Sequence, residues 1–248
     1  MFFTFKLSHA IALTLCFAAC MTVLLSPGDI SEPVMYDVPG SPAVPAAETC
    51  LSGCSPVLII DPGHGGEDGG AVSPDGMLES DLNLDISLRL RCLAGLFGIK
   101  TVMTRERADI DYPDSAGTTS ARKVADQRAR VQLINSVPDG TLISIHQNKF
   151  PDSRPSGTQV FYAVTDGSQT LAETAHNDLS RALCPENRRV AAPISKDIYL
   201  MKNVNCTAVL VECGFLSNPE ESAKLATEEY RLKIASVLIC SYMRYTQL

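Results

Sequence analysis

Two of the four histidines in the sequence stand at the ends of apolar runs. His64 follows the run VLIID within the stretch DPGHGGEDGG, and His146 closes the run TLISIH. A third apolar run, AVLVE, ends on an acidic residue, Glu212. Imidazole nitrogens and carboxylate oxygens are typical ligands of catalytic zinc, which takes three protein ligands and keeps one position open for water. These residue types therefore predict a zinc-dependent hydrolytic site.

The third zinc ligand should be a carboxylate close to His64 in the sequence. The candidates are Glu67, Asp68, Glu79 and Asp81. Position at the start of a predicted helix favours Glu79 or Asp81, because a helix holds a ligand more rigidly than a glycine loop does. The residue pattern alone does not choose between these two. Glycines near His64 would let the backbone pass close to the metal and the substrate without Cβ clashes; they stand at positions 63, 65, 66, 69 and 70.

Glu212 is predicted to act as general base and then as general acid. Hydrolysis needs a base for the proton of the attacking water and an acid for the leaving group, and one carboxylate can serve both in turn. The alternative for Glu212 is a buried salt bridge or a helix cap. A carboxylate that ends an apolar run is costly to bury unless a charge or a metal compensates it, which favours the catalytic role. A nucleophilic Cys213 paired with His146 is a minor chemical alternative.

Other motifs with known chemistry fail at identifiable positions. Asp68 occupies the third glycine position of a dinucleotide-binding pattern, and the sequence contains no phosphate-binding G-K-S/T, no G-x-S-x-G and no H-E-x-x-H. A formal net charge of −7 and a pI near 5.1 indicate no nucleic acid partner. His176 falls in the polar helical stretch AETAHNDLS, for which we expect a solvated surface position.

Apolar runs alternate with amphipathic ones along the chain, and this alternation must position the chemical groups. It predicts an α/β fold, a single domain with a twisted, mostly parallel sheet flanked by helices. Ligands gather at the carboxyl ends of parallel strands, so His64, His146 and Glu212 should converge on one rim of the sheet. The predicted strands are VLIID, IKTVMT, TLISIH, TQVFYA and AVLVE, and the predicted helices span residues 80–96, about 121–135, 171–183 and 219 to about 244.

The first 25 residues differ in character from the rest, because Lys6 is followed by an uncharged apolar segment, residues 7–25. This segment predicts a signal or a membrane anchor, and its poor fit to a cleavage site favours an uncleaved anchor. Residues 26–55, rich in Pro, Gly, Ser and Ala, are predicted to be a linker. Residues 56–248 then form an exported catalytic domain. The nine cysteines include no C-x-x-C pair, and we expect no disulfide framework.

Four blocks of the sequence resemble the zinc-dependent N-acetylmuramoyl-L-alanine amidases, over about residues 56 to 245. They are DPGHGG at 61–66, LESDLNLDIS at 78–87, SIHQN at 144–148 and VLVECGFLSNPEE at 209–221. The resemblance implies that His64, Glu79 and His146 hold zinc, which selects Glu79 over Asp81. It also implies that Glu212 is the catalytic carboxylate.

The same resemblance implies that Asn83 and Arg128 support the site. The implied reaction is hydrolysis of the amide joining the lactyl group of N-acetylmuramic acid to L-alanine of the stem peptide, with peptidoglycan as substrate. SIHQNKF followed by GTQVFY and IYLMK is most similar to the germination-specific amidases of spore formers, which strip stem peptides so that the cortex can acquire muramic lactam. A sporulation protein is then the expected regulatory partner.

Two other functions compete with this one. The first is a partner-dependent or inactive peptidoglycan-binding scaffold of the same fold. The second is a zinc peptidase that cuts within stem peptides, which uses the same chemistry on a different bond. Only the family likeness separates the peptidase from the amidase.

Overall fold

Alternating apolar and amphipathic segments build a six-stranded sheet with helices on both faces in the computed structural model, which describes residues 56–248. The strands are β1 (Val57–Pro62), β2 (Thr101–Met103), β3 (Gly140–Asn148), β4 (Gln159–Tyr162), β5 (Ala192–Pro193) and β6 (Thr207–Phe215). The helices are α1 (Glu79–Leu96), α2 (Thr119–Asn135), α3 (Ser168–Leu183), α4 (Tyr199–Asn203), α5 (Pro219–Leu225) and α6 (Glu228–Thr246). The predicted α/β fold with a mostly parallel sheet is confirmed.

The predicted signal or anchor, residues 1–25, and the predicted linker, residues 26–55, lie outside the described residues. Within residues 56–248, no helix has both the length and the apolar character needed to cross a membrane.

The strand order brings three strand ends side by side. The order is β2-β1-β3-β6-β4-β5, and β1, β2, β3 and β6 run parallel, whereas β4 is antiparallel to β6. In the ladder between β3 and β6, His146 lies directly opposite Glu212. Pro62, the last residue of β1, lies opposite Ile145 of β3. The carboxyl ends of β1, β3 and β6 therefore share one rim, as the sequence predicts.

Apolar side chains cover both faces of the sheet. Leu58 and Ile60 pack in one apolar layer with residues of α1, α3 and α6, and Ile59 packs in the other layer with residues of α2 and α4. All three side chains are fully buried. A strand that is buried on both faces has apolar residues at consecutive positions, which explains the segments VLII and AVLV. This doubly covered sheet is a rigid base for the rim.

The C-terminal segment contains two helices, so the predicted single helix from Pro219 to about Arg244 is wrong. Thr227 separates them, because its side chain accepts a hydrogen bond from the backbone N–H of Tyr230 and so caps the start of α6. Two glutamates in the first turn of α6 further favour a helix start there.

His176 is buried, and the predicted solvated position for it is also wrong. Only 3% of this residue is exposed, and its Nε2 lies 2.6 Å from the carbonyl oxygen of Arg189. The cause is the packing of α3, which turns Leu171, Ala175 and Leu179 inward together with His176. The polar residues of this segment do not indicate which face of α3 packs against the sheet.

Candidate metal centre and active site

Three predicted ligands converge at the rim of the sheet. His64, Glu79 and His146 each offer one ligand atom, and these atoms lie within 4.8 Å of one another. Oε1 of Glu79 is 3.0 Å from Nδ1 of His146 and 3.4 Å from Nε2 of His64. The two imidazole rings meet edge to face with centroids 5.1 Å apart. Two imidazoles and one carboxylate in this proximity fit the donor set of a catalytic zinc.

Glu79 is the first residue of α1, and its side chain is buried. Its Oε1 accepts a hydrogen bond from the backbone N–H of Gln147 at 3.0 Å, and its Oε2 accepts one from Ala71 at 2.8 Å. Burial opposes ionisation, but hydrogen bonds and charge from His146 and His64 outweigh it and hold the pKa of Glu79 well below its usual range. The carboxylate is therefore ionised and fixed in orientation.

The other acidic candidates do not join this cluster. Asp81 is exposed, because a residue two positions after Glu79 on a helix points to nearly the opposite side. Glu67 pairs with an arginine of α2. Asp68 contacts the far ring nitrogen of His64, with its Oδ2 3.0 Å from Nδ1. The structure thus brings Glu79, and none of the other three, into the ligand cluster.

Asn83 lies one helical turn after Glu79 and is fully buried. Its Nδ2 donates to the carbonyl oxygen of Gly63 at 3.2 Å and lies 3.4 Å from Oε1 of Glu79. Its Oδ1 accepts a hydrogen bond from Nε2 of Gln147 at 3.1 Å. Asn83 therefore links α1 to the ends of β1 and β3, which is the geometry expected of a supporting residue.

Glu212 lies beside the ligands on β6. Its Oε2 is buried and has no hydrogen-bond partner within residues 56–248. Burial raises the pKa of Glu212 to about 7, although the charge of His146 acts in the opposite direction. A buried polar oxygen without a partner calls for an explanation, and here a polar group bound in the cleft above it would satisfy that oxygen. This observation fits a bound metal with its water and substrate.

A groove of about 510 Å³ lies over the ligand cluster. Its floor contains the cluster and Glu212, α2 contributes one wall and the start of α4 the other. Lys123 of α2, Lys149 after β3 and Tyr199 of α4 also line the groove. The site is thus open to a substrate along the rim of the sheet.

Two buried arginines bind the backbone that carries His64. Arg130 donates to the carbonyl oxygens of Pro62 and His64, both at 2.7 Å. Arg105 donates to the carbonyl oxygens of Pro62 and Gly63 at 3.0 and 3.1 Å. His64 has a φ of 60°, a left-handed conformation that residues other than glycine rarely adopt. The two guanidinium groups stabilise this strained backbone and so position the ring of His64.

Arg128, the arginine that the family resemblance indicates, is not brought to the site. It is exposed on α2 and lines a separate depression. Arg130, on the same helix, is 5% exposed and forms an ion pair with Asp61 at 2.8 Å. Sequence reasoning missed Arg130. The signal that could have found it is helical spacing, since Asp126, Arg130 and Ile134 recur at four-residue steps along one side of α2.

We expect Arg130→Met to lower the free energy of unfolding by about 3–5 kcal/mol, because Asp61 would stay buried without its charged partner. Arg128→Met, the same change on the exposed side of α2, should alter it by less than about 0.5 kcal/mol. Chemical denaturation of both variants measures the difference. Equal effects would contradict the role assigned to Arg130.

Two glycines leave the space that the cluster needs. A Cβ at Gly63 would lie 2.3 Å from Cε1 of His146. Gly70 has a φ of +69°, and a Cβ there would lie 2.6 Å from Oε2 of Glu79. Glycine at these two positions therefore leaves room for the side chains of His146 and Glu79.

We therefore predict that Gly63→Ala displaces the ring of His146 and weakens zinc binding by about tenfold or more, as loss of a group that orients a ligand does. The control is Gly95→Ala in α1, where a Cβ meets nothing within 4 Å. That change should leave zinc binding unaltered and stabilise the helix by about 0.5–1 kcal/mol. Competitive zinc titration and thermal unfolding report both quantities, and wild-type affinity in Gly63→Ala would refute the packing argument.

Cys213 is not placed to act as a nucleophile. It follows Glu212 on β6 and points to the opposite face of the sheet, where it is fully buried in the apolar layer. Burial raises the pKa of its thiol far above the usual range. A nucleophilic cysteine must be accessible and ionised, so the alternative of a Cys213–His146 pair is wrong.

Comparison with known proteins relates this geometry to a family. A sequence profile described as N-acetylmuramoyl-L-alanine amidase matches residues 58–240. The germination-specific N-acetylmuramoyl-L-alanine amidase of Bacillus subtilis (strain 168) is 39% identical over 191 residues, which is 76% of this chain and 79% of that protein.

Solved structures give the same relation. The CwlD amidase of Clostridioides difficile, solved in complex with the GerS lipoprotein, superposes with a TM-score of 0.74 at 35% identity, covering 78% of this chain and 99% of that chain. The N-acetylmuramoyl-L-alanine amidase AmiC2 of Nostoc punctiforme superposes with a TM-score of 0.66 at 27% identity, covering 78% and 98%.

Proposed function

The chain belongs to the N-acetylmuramoyl-L-alanine amidase family, and from this membership we propose that it hydrolyses the amide between N-acetylmuramic acid and L-alanine in peptidoglycan. The observation that carries the proposal is the ligand cluster of His64, Glu79 and His146, whose ligand atoms lie within 4.8 Å of one another. Glu212 stands opposite His146 on the adjacent strand. This arrangement suits a metal-dependent hydrolase with one catalytic carboxylate.

Zinc is the metal that this donor set suits. His64 and His146 would hold it through ring nitrogens and Glu79 through a carboxylate oxygen, a set typical of catalytic zinc. Magnesium and calcium prefer oxygen ligands alone and fit the set less well. When bound, zinc supplies Lewis acidity, which polarises a carbonyl group and makes water a stronger acid.

Glu212 carries the proton transfers in this proposal. Its carboxylate accepts a proton from the water that attacks the lactyl carbonyl carbon, and the resulting carboxylic acid donates that proton to the amide nitrogen as the C–N bond breaks. The products are the lactyl carboxylate of the sugar and a stem peptide with a free L-alanine amine. The buried Oε2 of Glu212 has no hydrogen-bond partner among the described residues. This supports the role, because the oxygen is not engaged in a structural hydrogen bond and is free to accept a proton.

The groove offers partners of two kinds to such a substrate. Lys123 and Lys149 provide positive charge, which suits the carboxylates of a stem peptide. Tyr199 at the start of α4 is 39% exposed and provides apolar surface for a sugar face or a side-chain methyl group.

We further propose that spore peptidoglycan is the biological substrate, because the Bacillus subtilis relative is named germination-specific. A protein partner is proposed on the ground that the Clostridioides difficile neighbour was solved with a lipoprotein. We propose a site of action outside the cytoplasm, because peptidoglycan, the proposed substrate, lies there. We propose residues 1–25 as signal or membrane anchor, residues 26–55 as linker and residues 56–248 as the catalytic domain.

The test is to incubate the zinc-loaded protein with isolated spore and vegetative peptidoglycan and to identify the released fragments by mass spectrometry. We expect stem peptides that begin with L-alanine, a greater yield from spore material, and no release after zinc is removed by a chelator. Peptides that begin at another residue would indicate a peptidase. No release while zinc remains bound would support the peptidoglycan-binding scaffold instead.

A further inference from the structure

The geometry points to Asp68 as the residue that fixes the orientation and the tautomer of the His64 ring, with Lys123 holding the Asp68 carboxylate in place. The inference rests on the proposed function, because His64 is a ligand of the proposed zinc site. Asp68 is one of the acidic residues near His64 that the sequence offers as possible ligands, yet it stands outside the cluster of ligand atoms.

The two ring nitrogens of His64 face different carboxylates. Nδ1 lies 3.0 Å from Oδ2 of Asp68, and Nε2 lies 3.4 Å from Oε1 of Glu79. A neutral imidazole carries one N–H and one lone pair. With the proton on Nδ1, the ring donates to Asp68 and presents its Nε2 lone pair to the cluster. With a metal between Nε2 and Glu79, the opposite tautomer would set a lone pair against the Asp68 carboxylate and an N–H towards the metal, so Asp68 favours the tautomer that can bind a metal.

The Asp68 carboxylate is itself held in place. Nζ of Lys123 lies 2.8 Å from Oδ2, and the backbone N–H of Gly70 donates to Oδ1 at 3.3 Å. The backbones of Gly65 and Asp68 exchange two hydrogen bonds, of 2.8 and 3.0 Å. This tight loop returns residue 68 to the ring of His64, so the loop and a side chain of α2 together determine where the carboxylate lies.

Asp68 is positioned to act through His64 on metal affinity. A carboxylate on the far nitrogen of a ligating histidine orients the ring and raises its basicity, and removing such a partner costs about 10–100-fold in metal affinity. The side chain of Asp68 is 27% exposed and that of Lys123 is 48% exposed. Lys123 also lines the groove. The chain of contacts therefore runs from the groove wall, through Asp68, to the metal ligand.

Zinc dissociation constants of matched variants test the inference. Asp68→Ala removes the acceptor and should raise the Kd, measured by competition with a chromophoric chelator, by about 10–100-fold. Asp68→Asn keeps an oxygen that can accept the Nδ1–H, so its Kd should lie between those of wild type and Asp68→Ala. Lys123→Met leaves the acceptor present but less restrained and should have a smaller effect than Asp68→Ala. Asp75→Ala removes the same charge from an exposed position further along the segment between β1 and α1, and it should leave the Kd unchanged.

Long-range ¹H–¹⁵N spectra of the wild-type histidine side chains provide a second readout that does not depend on how a variant folds. In the zinc-loaded protein we expect His64 to carry its proton on Nδ1, with the Nε2 resonance shifted relative to the zinc-free protein. A His64 that stays protonated on Nε2 in the zinc-loaded protein, or an unchanged Kd in Asp68→Ala, would overturn the role of Asp68 alone. A wild-type protein that binds no zinc would overturn the proposed function and, with it, this inference.

Discussion

Glu212→Gln should lower the rate of amide hydrolysis by about 10²–10⁴-fold, the usual contribution of general acid–base catalysis, and leave zinc binding unchanged. Glutamine has nearly the size of glutamate but cannot take a proton from water and return it to a leaving amine. The substitution removes no structural hydrogen bond from Oε2, because this atom has no partner in the described part of the chain. The loss should therefore appear in turnover and not in stability.

The measurement combines the rate of release of L-alanine-terminated peptides with the zinc content of the same samples. Glu220→Gln is the matched control, since it makes the identical change at an exposed position of α5. Its rate and zinc content should equal those of the wild type. A Glu212→Gln protein with wild-type activity would rule out the catalytic role of Glu212, and one that lost zinc would indicate a role in holding the metal.

His146→Ala should remove zinc binding and activity together. The change leaves only two groups of the ligand cluster, and a catalytic zinc needs three protein ligands. The loss of affinity should exceed the about 10–100-fold loss caused by deleting a hydrogen-bond partner of a ligand. Zinc stoichiometry after dialysis, measured with activity on the same preparation, gives the result.

His176→Ala is the control for this second prediction. His176 is buried on α3, and its Nε2 donates a hydrogen bond to the carbonyl oxygen of Arg189, away from the ligand cluster. Its replacement should cost stability without changing zinc stoichiometry. If His146→Ala retained full zinc occupancy, or if both variants lost zinc equally, the assignment of His146 as a ligand would be contradicted.

Strand ends are the part of this site that the sequence predicts well. His64, His146 and Glu212 each follow or end an apolar run, and parallel strands place such ends on one rim regardless of the details of packing. The third candidate ligand is harder to predict, because Glu79 and Asp81 both lie at the start of α1. Only the direction in which α1 packs distinguishes them, and without the family resemblance the residue pattern leaves both open.

The features that the sequence did not predict depend on tertiary packing. His176 is buried because α3 turns a polar stretch inward, and Arg130 is at the site because α2 turns that residue, and not Arg128, towards β1. β4 runs antiparallel to β6. This direction depends on the path of the chain between β3 and β6, and the residue types of the segment TQVFYA do not indicate it. Thr227 is different, since its cap could have been found from the pattern TEE before an amphipathic segment.

Diffraction from zinc-loaded crystals, recorded on both sides of the zinc absorption edge, tests most directly whether His64, Glu79 and His146 hold a metal beside Glu212. We predict one anomalous peak at about 2.0–2.2 Å from a ring nitrogen of each histidine and from a carboxylate oxygen of Glu79. An active, zinc-loaded protein whose anomalous peak lay elsewhere, with none among these three residues, would contradict the assignment.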